Sequence, residues 1–372
     1  MPKRVLVVFG TRPEAIKMAP VVARLRERPA DFDVLTVATA QHREMLDRVL
    51  ELFAIVPDFD LDVMVPKQTL SEVTARVIER MSPVVAQARP DVMLVQGDTT
   101  TTFASALAAF YQGVPVGHVE AGLRTGRLDQ PFPEEANRRL TSVLTRWHFP
   151  PTELAKSRLL AEGVDPGHVH VTGNTVVDAL LEASAMPYDF PAGPLADALA
   201  SGNRIVLLTA HRRENWGEPM RHICRAARRL VEAFDDVTVL FAVHRNPQVR
   251  EVAEAELAGV PRVLLLDPVD YLPFVKVMQA ATLILSDSGG IQEEAPSLAK
   301  PVLVLREVTE RPEAMDAGMV RLVGTDEDRI VAEASRLLSD PAAYADMATR
   351  ANPFGDGQAA RRIADILAEE TA

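Results

Sequence analysis

Short runs of aliphatic and β-branched residues recur along the chain, each followed by a stretch whose apolar positions have helical spacing. In the first half the runs are RVLVVFG (4–10), DVLTVAT (33–39), DVMLVQGD (91–98) and VPVGHVEA (114–121). In the second half they are VHVTGN (169–174), RIVLLTAH (204–211), VTVLFAVH (237–244), RVLLLDPV (262–269), TLILSDSG (282–289) and PVLVLRE (301–307). Nearly continuous apolar strands alternating with helices mean parallel βαβ units, because helices cover both faces of such a sheet. Each half has enough strands for a sheet of its own. Composition alone would cut the chain in the proline- and glycine-rich stretch between Pro187 and Asn203. From about Asn352 the tail reads as a loop and then an amphipathic helix, with Ile363, Ile366 and Leu367 on one face.

In doubly wound sheets a ligand sits beyond the carboxyl ends of the strands, and the unusual polar clusters fall there. After the first strand comes TRPEAIK, in which Thr11 and Glu14 have capping-box spacing and Pro13 suits a first helical turn, with Arg12 and Lys17 beside it. Asp98 ends VMLVQGD and is either a site acid or a helix cap. The segment HVEAGLRTGRLDQPFPEEANRR (118–139) packs Glu120, Glu134 and Glu135 among four arginines. Glu120 ends a strand, and Glu134 opens a helix expected to bury Ala136, Leu140 and Leu144. Carboxylates held close raise one another's pKa and suit general acid/base chemistry, although an Arg/Glu network bracing a long loop would use the same residues.

His211 follows an apolar run in TAHRRENWGEP, with Arg212, Arg213 and Glu214 next to it, and His244 ends the following strand. In SDSGGIQEEA, Ser288, Gly289 and Gly290 form a turn without side-chain bulk before a helix, the arrangement of an anion seat. Glu293 and Glu294, a turn later, suit ribose hydroxyls, and Arg311 offers either a bidentate phosphate donor or a surface ion pair.

Composition narrows the reading. At 372 residues and 47% hydrophobic content the chain can bury two cores, and its net charge of -12 opposes nucleic-acid binding. No apolar run approaches the roughly 18 residues needed to cross a bilayer. The single cysteine, Cys224, excludes an intramolecular disulfide, and MPKRVLVVFG has no signal-peptide anatomy, so a cytoplasmic protein is expected. The histidines show no HxxxH spacing, and neither GxGxxG nor GxxxxGK is present, so no metal, nicotinamide or ATP is expected.

GTRPEAIKMAP, QGDTTTTFASALAAFY, GHVEAGLRT, PFPEEANRRLT, TGNTVVDAL, TAHRREN, SDSGGIQEEAPSL and TERPEAMDAG together resemble the non-hydrolysing bacterial UDP-N-acetylglucosamine 2-epimerases, in the same order and over essentially the whole chain. The resemblance implies two Rossmann-like doubly wound domains facing a central cleft, glycosyltransferase-B-like, with the C-terminal helix returning to the first domain. It moves the expected boundary to about 170: residues 1–170 plus 354–372 carry the acid/base groups, and 171–353 bind UDP. The implied reaction is reversible C2 epimerisation of UDP-GlcNAc to UDP-ManNAc, through loss of UDP to 2-acetamidoglucal and re-addition, supplying cell-surface polysaccharide.

By the same resemblance Asp98, Glu120 and Glu134 do the acid/base work, and His211 contacts the sugar or diphosphate. Arg12 and Lys17 would bind UDP from the first domain; Ser288, Gly289, Gly290, Glu294 and Arg311 would hold it from the second. Phe274 matches the uracil contact, joined by the backbone near Val269. A second, activating UDP-GlcNAc site would fall on Gln41, Glu44, Lys67, Arg212 and His244. There Glu44 and Lys67 replace a glutamine and an arginine, which weakens anion recognition. A homodimer and no cofactor are also implied. The rival readings are a retaining glycosyltransferase, a hydrolysing epimerase and a non-catalytic nucleotide-sugar sensor.

Overall fold

Two six-stranded parallel sheets carry the architecture. The computed structural model describes residues 1–39, 43–65 and 67–369. The first sheet contains β1 (Lys3–Phe9), β2 (Phe32–Ala38), β3 (Phe59–Asp60), β4 (Val92–Gln96), β5 (Val116–Val119) and β6 (Trp147–Phe149), in the spatial order β3-β2-β1-β4-β5-β6. The second contains β7 (Arg204–Thr209), β8 (Val237–Ala242), β9 (Val263–Leu266), β10 (Ala281–Ser286), β11 (Val302–Val304) and β12 (Val320–Leu322), ordered β12-β11-β10-β7-β8-β9. Both orders are the Rossmann order read from opposite ends, so each sheet reverses direction between its first and fourth strands. Those switch points are β1/β4 and β7/β10.

Chain contacts divide the protein into two units, Met1–Ala179 with Phe354–Ala372, and Leu180–Pro353. The division falls inside the helix Thr175–Ala185 rather than in the proline-rich stretch, part of which is itself the short helix Pro194–Ala200. Each unit has its own core. Leu6, Val8, Met93 and Val95 of the first sheet pack against Val77, Met81 and Val85 of the helix Leu70–Ala88, and Val206, Leu208 and Phe241 of the second pack against Ile223, Leu230 and Ile330. The last helix, Ala359–Glu369, belongs to the first unit. Asp178 caps its start by accepting from the backbone N–H of Ala359 (3.2 Å) and Ala360 (2.9 Å), and Lys3 Nζ reaches the Leu367 carbonyl at 2.6 Å. Ile363 and Leu367 are buried, and Ile366 is half-buried. Among the described residues no helix is long and apolar enough to cross a membrane.

Three expectations differ from the structure. VHVTGN is not a strand of the second unit; Val169 makes one isolated bridge to His148 in the first, and Gly173, at φ 93°, turns the chain toward the next helix. β3, β6 and β12, two or three residues each, are too short to leave a period in the sequence. The helix Glu134–Leu144 buries the opposite face from the one its apolar residues mark. Glu135, Asn137, Thr141 and Ser142 point inward, Ala136 and Leu144 are half-buried, and Leu140 is 47% exposed.

Candidate functional site

In the first unit the turn after β1 is fixed by Glu14. Its Oε2 accepts from the backbone N–H of Gly10 (2.8 Å) and Thr11 (2.7 Å), completing a capping box with Thr11. Its Oε1 accepts from the hydroxyls of Thr99 (2.6 Å) and Thr102 (3.1 Å), which tie this helix to the one after β4. Burial pushes the Glu14 carboxyl up despite those hydrogen bonds. Every lone pair direction is used, so Glu14 frames the site. One turn on, Lys17 places Nζ 2.5 Å from Glu120 Oε2.

Glu120 follows β5 at φ 64°, a left-handed conformation that costs a non-glycine residue about 1 kcal/mol or more. Its carboxylate is nearly buried and also accepts from the Gln96 side-chain amide. Register pairs Gln96 with Val119, so Asp98 and Glu120 follow adjacent strand ends. Asp98 Oδ2 is forked by Arg138, 2.6 Å from Nη2 and 2.9 Å from Nε, and its carbonyl accepts from Asn137 Nδ2 at 2.9 Å. Below it His118, fully buried, donates from Nε2 to the Gly97 carbonyl at 2.7 Å. Only the neutral Nε2–H tautomer fits, because a carbonyl only accepts and burial pushes the ring down to about 4. Gly97, at φ 75°, supplies the turn that His118 braces.

Glu134 and Glu135 part company. Glu134 starts its helix half-buried, with Oε2 buried and unpartnered among the described residues. Glu135 is wholly enclosed; it accepts from the backbone N–H of Thr125 (3.0 Å) and Gly126 (3.2 Å) and pairs with Arg138 Nη1 at 3.2 Å. Arg138 therefore bridges a loop-bracing carboxylate and Asp98. Gln96 and His118 have no role in the sequence reading, whereas Glu135 and Arg138 form part of the loop-bracing Arg/Glu network that it left open, at the three-residue spacing of a helical pair.

In the second unit β7 and β10 end side by side, with Thr209 and Ser286 hydroxyls 2.7 Å apart. Just beyond, Asp287 faces His211, whose Nδ1 is 3.1 Å from Oδ1, and the His211 ring stacks on His244 with centroids 5.6 Å apart at 19°. Ser288 leads into the helix Gly289–Glu294. Arg212 and Arg311 converge on Gly289: a Cβ there would lie 3.7 Å from Nη2 of each. Arg311 is no surface ion pair, because its Nε is paired with the buried carboxylate of Glu293. Arg212 Nε is buried without a hydrogen-bond partner among the described residues. Glu294 Oε1 accepts from Tyr271 at 3.1 Å; Phe274 lies one turn further along Tyr271's helix, half-buried, as is Val269 before it.

The remaining positions scatter. The Arg12 side chain makes no hydrogen bond or ion pair among the described residues, and the residue is half-buried. Gln41 lies outside the described residues, as does the side chain of Glu44. Lys67 is exposed at φ 63°. Of the five proposed activator contacts, Arg212 adjoins Gly289 and His244 adjoins His211.

A family model described as UDP-N-acetylglucosamine 2-epimerase matches residues 23–368. A UDP-N-acetylglucosamine 2-epimerase of Escherichia coli O157:H7 is 54% identical over 369 residues, 98% of each chain. The chain belongs to the UDP-N-acetylglucosamine 2-epimerase family. A Neisseria meningitidis UDP-GlcNAc 2-epimerase solved with UDP-GlcNAc bound superposes at TM-score 0.87 and 47% identity, covering 99% of this chain and 100% of that one. A candidate UDP-N-acetylglucosamine 2-epimerase from Listeria monocytogenes gives 0.94 and 48%, covering 100% and 98%. Within this epimerase-family chain, the matched span begins after Thr11, Arg12, Glu14 and Lys17 and includes Asp98, Glu120 and Glu134 of the first unit and His211, Arg212, Gly289 and Arg311 of the second.

Proposed function

We propose that this chain interconverts UDP-GlcNAc and UDP-ManNAc by eliminating and re-adding UDP. The difficulty is the C2 proton, which no carbonyl acidifies. If a base removes it while the C1–O bond to the diphosphate breaks, the electron pair becomes the C1=C2 double bond and UDP departs with the former bond pair. Delivery of a proton to the other face of C2, with attack of the phosphate oxygen on C1, gives the epimer. Such a sequence needs carboxyl groups around the sugar and cations for the departing diphosphate.

The observation that carries this reading is the pair of adjacent strand-end carboxylates, Glu120 in a left-handed conformation held by Lys17 and Gln96, and Asp98 forked by Arg138. A non-glycine residue in the left-handed region whose carboxylate is held by polar partners is the kind of outlier from which a function is inferred. In the second unit, Arg212 and Arg311 over Gly289 suit a diphosphate, and the Glu294–Tyr271 pair suits a ribose. His211 meets the leaving group. We infer that the enzyme is a cytoplasmic homodimer whose product supplies cell-surface polysaccharide, and that activation by a second UDP-GlcNAc is weak because Glu44 and Lys67 stand at its contacts. A strict need for added UDP-GlcNAc when starting from pure UDP-ManNAc would overturn that last point.

The test is incubation with UDP-GlcNAc alone in deuterated water, followed by NMR at C2. Deuterium at C2 of intact UDP-HexNAc is expected. Free sugar would instead mark a hydrolysing epimerase, and no exchange a transferase or a sensor.

A further inference from the structure

Asp287 is a wholly enclosed carboxylate to which the reaction above gives no contact with sugar or phosphate. Its two oxygens are used differently. Oδ2 accepts from the backbone N–H of His211 (2.8 Å) and Arg212 (2.8 Å) and from Asn215 Nδ2 (2.9 Å). Oδ1 lies 3.1 Å from His211 Nδ1, off line for a full hydrogen bond, with no other partner among the described residues. Burial alone would raise this carboxyl, but the adjacent His211 ring and the two backbone amides hold it below the usual carboxylate range. One oxygen anchors the turn, and the other is kept for the imidazole.

We propose that Asp287 is a positioning residue for His211: Oδ1 fixes a proton on Nδ1 and leaves Nε2 as the ring nitrogen that meets the ligand. The ring is also held by its face. His244 stacks on it, and because His244 Nδ1 accepts from the Asn246 backbone N–H at 3.1 Å, the His244 proton sits on Nε2. Burial, then the charge of His211, pushes His244 below the usual imidazole range, so it is a neutral wall. The His211 side chain is 40% exposed, which leaves its other edge open. With Nδ1 protonated, Nε2 of the neutral ring is free to accept a proton, and the imidazolium can return it from Nε2–H to the diphosphate oxygen. The inference rests on the reading of His211 given above, and it names the group that fixes the ring's tautomer.

The experiment uses the full chain labelled with 15N-histidine at alkaline pH, without ligand, with His211 assigned by its loss in His211→Asn. The wild type should show Nδ1 in the protonated range. Asp287→Asn, whose amide can donate toward Nδ1, should move that resonance to the unprotonated range and lower kcat by at least about tenfold with a smaller change in KM. Asn215→Ala, which loosens the turn without touching Oδ1, should leave the resonance in place. An unprotonated Nδ1 in the wild type overturns the proposal whether or not the variants fold; so does an unmoved resonance in folded Asp287→Asn, or an equal shift in Asn215→Ala. A moved resonance with unchanged kcat keeps the dyad and removes His211 from the reaction, so the two readings fail separately.

Discussion

The two switch points share a scaffold and differ in charge. Beyond β4 and β5 the chain sets carboxylates and gives each a cation, Arg138 for Asp98 and Lys17 for Glu120. Beyond β7 and β10 it sets a buried carboxylate behind a histidine and brings two guanidinium groups over a glycine. Parallel strands supply the place, and the one or two residues after each strand decide its chemistry. On the proposed reaction, the first unit moves protons and the second holds an anion. Variants in the two should therefore fail in different ways.

The largest expected effect is in the first unit. Glu120→Gln and Asp98→Asn keep shape and most hydrogen bonds but remove the base, so deuterium entry at C2 should fall by about a hundred- to ten-thousandfold. Loss of less than about tenfold in both would remove them from proton transfer.

Acid should separate the units next. His118 and His148 pair across β5 and β6, and burial pushes them down to about 4 and about 3 from an ordinary 6.5. Their folded values are depressed, so the unfolded chain takes up protons first. The stability they confer is complete above pH 6.5 and is lost as pH falls toward 4, by about 3 kcal/mol for His118 alone. Amide exchange followed by mass spectrometry, corrected for intrinsic rates, should show β5 and β6 losing protection over that window before β7, β8 and β10. Equal protection of β5 and β6 at pH 4 and 7 would break the assignment.

A smaller change tests the anion seat. Arg311→Ala should raise KM for UDP-GlcNAc by about tenfold with less change in kcat, because a diphosphate contact is made in ground and transition states alike. Steady-state kinetics decide it. A fall in kcat at constant KM would move Arg311 from binding to chemistry.

These contrasts were partly legible in the sequence. Long apolar strands announced themselves, and because Asp98, Glu120 and His211 follow such strands, topology alone put them at the strand ends where doubly wound sheets bind ligands. The short strands β3, β6 and β12 carry too few residues for a period, and VHVTGN has strand composition but only one bridge. Positions that act through another residue were not legible. Nothing in the spacing says that Gln96 donates to Glu120, that His118 braces Gly97, or that Asp287 turns its oxygen to His211. Between the paired acids the pattern chose Glu134 from an apolar stripe that the helix does not bury, and a rotation of about 100° between neighbours is what leaves Glu134 half-buried and encloses Glu135.

The inverted helix Glu134–Leu144 gives the smallest prediction and a direct reading of what its polar face is for. A helix normally buries its apolar stripe, yet here Glu135 and Asn137 face inward because the loop at 125–126 and the Asp98 carbonyl need their hydrogen bonds. Further along the same face Thr141 is buried with its hydroxyl unpartnered among the described residues. If the polar face serves only the site end of the helix, Thr141 is a remnant of the pattern, and Thr141→Val, of similar shape, should leave stability unchanged or raise it by up to about 1 kcal/mol in urea unfolding. A loss of about 1 kcal/mol or more would mean that the hydroxyl is satisfied in solution and that the polar face continues past the site.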